Sequence, residues 1–259
     1  MSGIRVEFSE KTNGKIAYLI LDRADKANAL SSNMISDIEA AVKTILAEDE
    51  LRCVVIKGTT DKVFCAGSDL KELSELTSGS AGGFLRSTHT ALKNVRNIPV
   101  PVIAQIEGPC MGVGMELAAV CDIRIASTSA SFAMPKVKIG IPSVIEAALV
   151  ARIIGPGRAS FLMLSGNTVS AQQVYDWGFL EQVADDSNAL TAAVDNVIDG
   201  ILSAGFLAVC AQKRLLQSWQ EKPLAECIEE SIRPFAAAHA SNEPGELSAR
   251  VIGRLKKNK

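Results

Sequence analysis

The sequence predicts an α/β protein with an α-helical C-terminal region. Strand-like and helix-like runs alternate through the first part of the chain, the pattern of helices laid on a mostly parallel sheet. Continuous apolar runs such as Cys53 to Ile56 mark strands covered on both faces. From Ser187 onward the periodicity is almost entirely helical, with breaks near Gly205, Pro223 and Pro244. We therefore divide the chain into a core, 1–190, and a helical region, 191–259.

Taken in order, Val6 to Ser9 and Lys15 to Leu21 read as strands around the turn Thr12-Asn13-Gly14, whose Asn-Gly pair is a strong hairpin signal. A polar loop, Asp22 to Leu30, precedes a helix capped by Ser31 or Ser32, with Ile35, Ile38, Ala41, Val42 and Ile45 at helical spacing. After the buried strand at Cys53, Val63 to Leu70 turns from apolar to small and polar. Thr77 to Gly83 reads as a flexible loop or lid. Phe84 to Arg96 is helical, and Pro99 and Pro101 lead into a buried strand, Val102 to Ile106. Short strands follow at Ile123 to Ala126 and Ser131 to Ala133. Ser143 caps a helix over Val144 to Ile154, which Gly155-Pro156-Gly157 breaks. Further helices cover Arg158 to Leu164 and Ser170 to Trp177, and Phe179 to Val183 is a short strand.

The 259 residues, 47% of them apolar, suffice for a sizeable core. A formal charge of −2 with interspersed signs leaves no global basic field for DNA. The one basic cluster is terminal: Arg254, Lys256, Lys257 and Lys259. Six cysteines show no CxxC pair, and several sit in apolar runs, so they read as reduced, buried thiols and the chain as cytoplasmic. Two histidines, His89 and His239, argue against a zinc site, and no metal is expected. The start, Met1 to Arg5, has no apolar signal core, and no run approaches the ~18–20 apolar residues of a membrane span.

The chemistry concentrates between Ile103 and Ile125. A buried strand runs into Gly108-Pro109-Cys110-Met111-Gly112-Val113-Gly114 and then into a short helix opening near Val113. Gly112 and Gly114 let the backbone turn tightly and leave room for a ligand near the main chain. The first N–H groups of the helix lack intrahelical partners and suit an anionic oxygen. Glu116 lies within the first helical turn. A carboxylate beside an oxyanion site is an arrangement for acid–base chemistry at a carbonyl compound. The bend at Gly67-Ser68 offers a second N–H, that of Ser68.

Five ordered segments resemble the crotonase, or enoyl-CoA hydratase/isomerase, superfamily. They are Asp25-Lys26-Ala27-Asn28-Ala29-Leu30, Phe64-Cys65-Ala66-Gly67-Ser68-Asp69-Leu70, Gly108 to Ala118, Asp122-Ile123-Arg124-Ile125-Ala126 and Gly140-Ile141-Pro142. The resemblance implies a crotonase-like spiral of ββα units with an α-helical C-terminal region that serves oligomerisation and pocket closure. It implies a homotrimer or a hexamer built as a dimer of trimers. The substrate it implies is an acyl-CoA thioester, with coenzyme A part of the substrate and no separate cofactor, DNA or membrane partner. Its carbonyl oxygen would lie between the backbone N–H groups of Ser68 and Val113. Coenzyme A would meet Lys26, Ala27 and Asn28 together with Ala66, Gly67, Asp69 and Leu70, and C-terminal basic residues would meet its phosphates.

The hydratases of this superfamily use two glutamates to hold and activate one water. Glu116 matches the first, but the second falls at Lys136, and lysine, normally protonated, is a poor base. The glycine-rich segment after Gly140 becomes Pro142-Ser143-Val144-Ile145-Glu146-Ala147, which places Glu146 near a helix that lines the pocket in relatives. Gly112, Lys136, Pro142 and Ser143 are further pocket candidates. Glu146 is read as a second catalytic carboxylate, with an ion pair to Lys136 or a solvent-facing position as the alternatives. The expected activity is hydration or isomerisation of an enoyl-CoA in which Glu116 moves the proton. Thioester hydrolysis and a non-catalytic acyl-CoA- or RNA-binding role are the alternatives. The turn Cys110-Met111-Gly112 also resembles the nucleophile turn of Clp-type peptidases, but neither histidine sits in a segment suited to activating that thiol. Leu70, Leu73, Phe84 and Met111 are apolar candidates for the acyl pocket.

Overall fold

A computed structural model describes residues 3–60 and 62–257, so Met1, Ser2 and Lys259 of the sequence reading lie outside the described residues. The hairpin pairs β1 (Ile4–Lys11) with β2 (Gly14–Leu21), Lys11 facing Gly14. Its loop is thus Thr12-Asn13, and Gly14 is already in the strand at φ +122°, where a Cβ would stand 2.4 Å from Arg52 Cγ. Ser31 caps α1 (Ser32–Leu46) by accepting from the Met34 N–H. The five apolar positions read at helical spacing are all buried. Next come β3 (Leu51–Gly58), a one-and-a-half-turn helix α2 (Leu70–Glu75) that the sequence reading did not contain, and α3 (Ala81–Arg96). Ser80 precedes α3, so Gly82 and Gly83, expected in a flexible loop, form its first turn.

The core continues through β4 (Val102–Ile106), β5 (Pro109–Met111), α4 (Val113–Val120), β6 (Ile123–Ser127) and β7 (Ser131–Ala133). After a 3-10 turn at Pro135–Ile139 come α5 (Ala147–Ile154), α6 (Pro156–Ser165), β8 (Val169–Ser170), α7 (Ala171–Asp176) and β9 (Gln182–Ala184). Four helices close the chain: α8 (Ser187–Ser203), α9 (Phe206–Trp219), α10 (Leu224–Ala238) and α11 (Glu243–Lys257). The break read near Pro244 falls over residues 239–242, and Pro244 itself lies in the first turn of α11, where a proline lacks only an N–H that would be unpaired anyway. The helix read from Val144 starts three residues later, at Ala147. Ile145 is left-handed (φ 53°), which stops helix propagation before it.

The main sheet runs β1-β2-β3-β4-β6-β9, parallel after the antiparallel first pair, and a small second sheet runs β5-β7-β8. Period-two alternation splits the apolar strands between two cores. Cys53, Val55, Ile103 and Ile125 face Leu190, Val194 and Ile198 of α8. Val54, Ile56, Val102, Ala104 and Ala126 face the larger cluster with α1, α3 and α4. This two-sided cover is why β3 and β4 are continuous apolar runs. It also fixes α4 at the C-terminal end of β4, beside the bend before α2. Lys213 on α9, buried, donates to the Val100 carbonyl at 2.9 Å and pairs with Asp122 at 2.7 Å, tying the helical region to the start of β4.

No single helix among the described residues is long and apolar enough to cross a membrane. All six cysteines are free and buried.

Candidate active site

Two glycine turns meet at the head of α4. The Cys65 N–H donates to the Pro109 carbonyl (3.0 Å) and the Met111 N–H to the Cys65 carbonyl (2.8 Å), so the segments 65–68 and 109–114 run side by side. Gly67 and Gly112 both have positive φ, +109° and +51°, a region glycine enters without strain. Their backbones come so close that a Cβ on Gly112 would stand 3.9 Å from Gly67 Cα. Gly114 is tighter still: a Cβ there would fall 2.6 Å from the Cys65 carbonyl oxygen. Ser68 and Val113 directly follow the two positive-φ glycines. Their N–H groups donate to no acceptor among the described residues; Val113 is the first residue of α4, where an intrahelical partner is impossible. The structure thus juxtaposes two free peptide donors that are 45 positions apart in sequence.

Glu116, in the first turn of α4, is fully buried. Its Oε1 accepts from Lys136 Nζ at 3.1 Å, while its Oε2 is buried without a partner. Burial pushes its pKa up to about 7; the Lys136 ammonium opposes this and the neighbouring Glu146 carboxylate reinforces it. Desolvation therefore outweighs the ion pair. Lys136 reaches Glu116 from the 3-10 turn that begins at Pro135, and is itself buried.

Glu146 immediately precedes α5 and is 6% exposed. The sequence alternatives of an ion pair with Lys136 and of a solvent-facing carboxylate are both overturned: Lys136 turns to Glu116, and Glu146 Oε1 meets His89 Nδ1 at 2.5 Å. Glu146 Oε2 and the Ser143 hydroxyl are buried without partners, like Glu116 Oε2. Orphaned buried oxygens are rare, because each forfeits ~1–3 kcal/mol of solvation. Three such oxygens fall on α4 and on the segment leading into α5, and the Glu146 carboxylate lies near enough to act on Glu116. The left-handed, β-branched Ile145 turns the chain so that Glu146 points inward, a strained conformation that holds ~1–3 kcal/mol.

The remaining sequence candidates sort by geometry. Lys26 is exposed at the end of a 3-10 turn, Ala27 and Asn28 are left-handed, and the Ala66 N–H donates to the Ala27 carbonyl at 3.0 Å. The two segments read as coenzyme A contacts are thus adjacent. The Asn28 side chain is wholly buried and bonds the Arg23 N–H and the Val63 and Phe64 carbonyls, holding the loop against that second segment. Asp69 caps α2 and pairs with Arg23 at 2.8 Å, and that guanidinium bond holds its carboxyl below the ordinary range. Leu70 and Pro142 are exposed, and Phe84 packs partly against the core. Cys110 is fully buried and burial raises its thiol well above the ordinary value, which disqualifies it as a nucleophile. Sequence reasoning missed His89 as a partner of Glu146, because helical spacing says nothing of what a half-exposed histidine on α3 meets.

With the geometry in place, comparison with known proteins is direct. The sequence profile of the enoyl-CoA hydratase/isomerase family matches residues 11–246, and the chain belongs to that family. Among relatives, mouse methylglutaconyl-CoA hydratase is 32% identical over 197 residues, 76% of this chain. An enoyl-CoA isomerase/hydratase of Mycosarcoma maydis is 34% identical over 184 residues, 68% of this chain and 67% of its own length. This chain spans 63%, 58% and 62% of the mouse, human and rat methylglutaconyl-CoA hydratases. The enoyl-CoA hydratase of Bacillus anthracis superposes with a TM-score of 0.88 at 26% identity, covering 99% of this chain and 97% of its own, so the crotonase fold is shown.

Proposed function

We propose that this protein hydrates a 2-enoyl-CoA thioester, adding water across the C2–C3 double bond. The observation that carries this reading is the trio of buried, unpartnered oxygens, Glu116 Oε2, Glu146 Oε2 and Ser143 Oγ, a set of acceptors suited to one water. Glu146 then does the work of the carboxylate that Lys136 replaces. The thioester oxygen sits between the Ser68 and Val113 N–H groups, which gather the negative charge as the enolate forms. Glu146 takes a proton from water as its oxygen attacks C3. Glu116, held partly protonated at neutral pH by burial, delivers a proton to C2. Lys136 keeps Glu116 oriented and limits how far its pKa rises. Lys26 to Asn28 and Ala66 to Leu70 form the rim on which coenzyme A is held, with coenzyme A part of the substrate.

A second reading has one supporting observation. With Oε1 tied to Lys136, Glu116 alone can carry a proton between C2 and C4, which shifts a double bond. Product analysis by mass spectrometry with 2-enoyl-, 3-enoyl- and 3-hydroxyacyl-CoA separates the two, and loss of coenzyme A alone would point to hydrolysis. The pH limb separates them independently. As an acid in hydration, Glu116 must be protonated, so turnover falls as pH rises through about 7; as the base of a double-bond shift it must be ionised, so turnover rises through the same point. A hydration rate that climbs through this range overturns the assignment of acid and base.

Gly114→Ala tests the oxyanion turn. The added methyl must displace the Cys65 carbonyl at 2.6 Å, which shifts one peptide donor relative to the other. Turnover should drop ~10²–10³-fold, the worth of one such donor, while the melting curve still shows a cooperative fold. Unchanged turnover would dissociate the glycine turn from catalysis.

The helical region supplies the assembly. On α10, Leu224, Ile228, Ile232 and Phe235 form an apolar stripe, each more than half exposed, and α11 exposes Val251, Ile252 and Leu255. A stripe of this kind marks an interface, and we propose copies of this chain as its partner in a trimer or a dimer of trimers. Light scattering at micromolar concentration should give a mass three or six times that of the 27.4 kDa chain. A monomer under those conditions refutes it.

A further inference from the structure

Hydration as written leaves Glu146 holding the proton it took from water and Glu116 without the one it gave to C2. Before the next cycle Glu146 must lose a proton, yet the residue is 6% exposed and its Oε2 is buried without a partner. We infer that His89 is a positioning residue that acts through Glu146, carrying this proton from the buried carboxylate to solvent. The inference rests on the reading of Glu146 as the base of the hydration.

The geometry supplies each leg of the path. Glu146 has two ends: Oε2 is orphaned in the pocket, where Glu116 feels its charge, and Oε1 meets His89 Nδ1 at 2.5 Å. The His89 side chain is 49% exposed, so its far nitrogen reaches water. Histidine and carboxylate both line a cleft of about 580 Å³ between α3, the start of α5 and α9, open to solvent in the chain. The charged groups facing His89 there are Lys93 and Arg96 of α3, Arg214 of α9, Glu221 after α9, and Glu146 itself. Glu221 pairs with Arg96 at 3.6 Å, which leaves Lys93 and Arg214 to repel an arriving proton and favour its release to bulk water. The step balances: Glu146 O–H loses its proton to Nδ1, the imidazole releases one from Nε2 to cleft water, the carboxylate is restored, and reorientation and proton exchange of the half-exposed ring with cleft water return it to the Nε2–H form before the next cycle. The proton that Glu116 delivered to C2 is replaced from solvent when product leaves. No other acceptor or donor among the described residues bonds Glu146 Oε1, so the imidazole is the side chain placed to take its proton.

A relay separates the first turnover from later ones, and a purely structural contact does not. The test uses the full chain with a 2-enoyl-CoA that the wild type hydrates, and compares single-turnover with steady-state rates for His89→Ala and His89→Gln. The histidine lies on the exposed side of α3, so both variants should fold. In both, the single-turnover rate should match wild type while steady-state turnover drops roughly a hundredfold, the lower end of the range for a positioned proton carrier. KM should hold, and free imidazole should restore His89→Ala. Glutamine keeps a hydrogen bond but cannot pass a proton, so a His89→Gln variant as fast as wild type overturns the relay. Equal loss in the single-turnover and steady-state rates, or no rescue by imidazole, overturns it as well. A wild type that hydrates no enoyl-CoA sinks the parent reading and the relay with it. A wild type that hydrates well beside unaffected His89 variants sinks the relay alone.

Discussion

Glu116→Gln should lower turnover by ~10²–10⁴-fold, the usual worth of a general acid or base, with affinity for coenzyme A largely kept. The argument is that glutamine fills the same buried volume and still accepts from Lys136, but cannot exchange a proton with C2. Steady-state kinetics beside a calorimetric titration with coenzyme A checks both halves. A variant that retains more than a tenth of wild-type turnover would remove Glu116 from the chemistry. The same substitution has a signature in stability. The folded chain holds the Glu116 proton up to about 7, whereas the ordinary value is 4.5. Below 4.5 the carboxyl is neutral in both states and burial costs nothing through charge. Between these points the unfolded chain releases a proton that the folded chain keeps, so stability falls as pH rises, and the full penalty stands above about 7. In Glu116→Gln this part of the decline should vanish from melts recorded across that window.

Glu146→Gln carries the second large effect. If Glu146 takes the proton from water, its loss should also slow hydration by ~10²–10⁴-fold, with circular dichroism unchanged. The structural reason for expecting a large value is that Glu146 is buried with an orphaned oxygen, so it is not an exposed ion pair, whose removal moves stability by ~1 kcal/mol or less and leaves rate alone. The comparison of the two glutamate variants also divides the readings. A double-bond shift run by Glu116 alone would survive Glu146→Gln and collapse in Glu116→Gln. Hydration should collapse in both. Rapid hydration by Glu146→Gln would show that one glutamate suffices and that the pocket's other orphaned oxygens serve packing or orientation.

Local pattern fixed a good deal of this protein before any coordinates. The hairpin follows from a turn sequence, α1 from a Ser cap and a helical stripe, and β3 and β4 from apolar runs that only two-sided cover explains. The glycine-flanked turns and the carboxylate three residues past Val113 are equally local. The place of Glu116 in the first turn of α4 could therefore be read from spacing alone. Burial could not. Its raised pKa follows from the larger core closing over α4, to which strands and helices from most of the chain contribute. Lys136 lies 20 positions from Glu116 and His89 lies 57 from Glu146. Which cation meets which carboxylate depends on how α3, α4 and α5 pack, and α4 touches both of the others. The sequence could name Glu146 and Lys136 as possible partners, but not that a left-handed Ile145 would turn the glutamate away from the lysine and toward a histidine. Backbone dihedrals of that kind are imposed by surrounding structure against local preference, so a β-branched residue gives no warning of them.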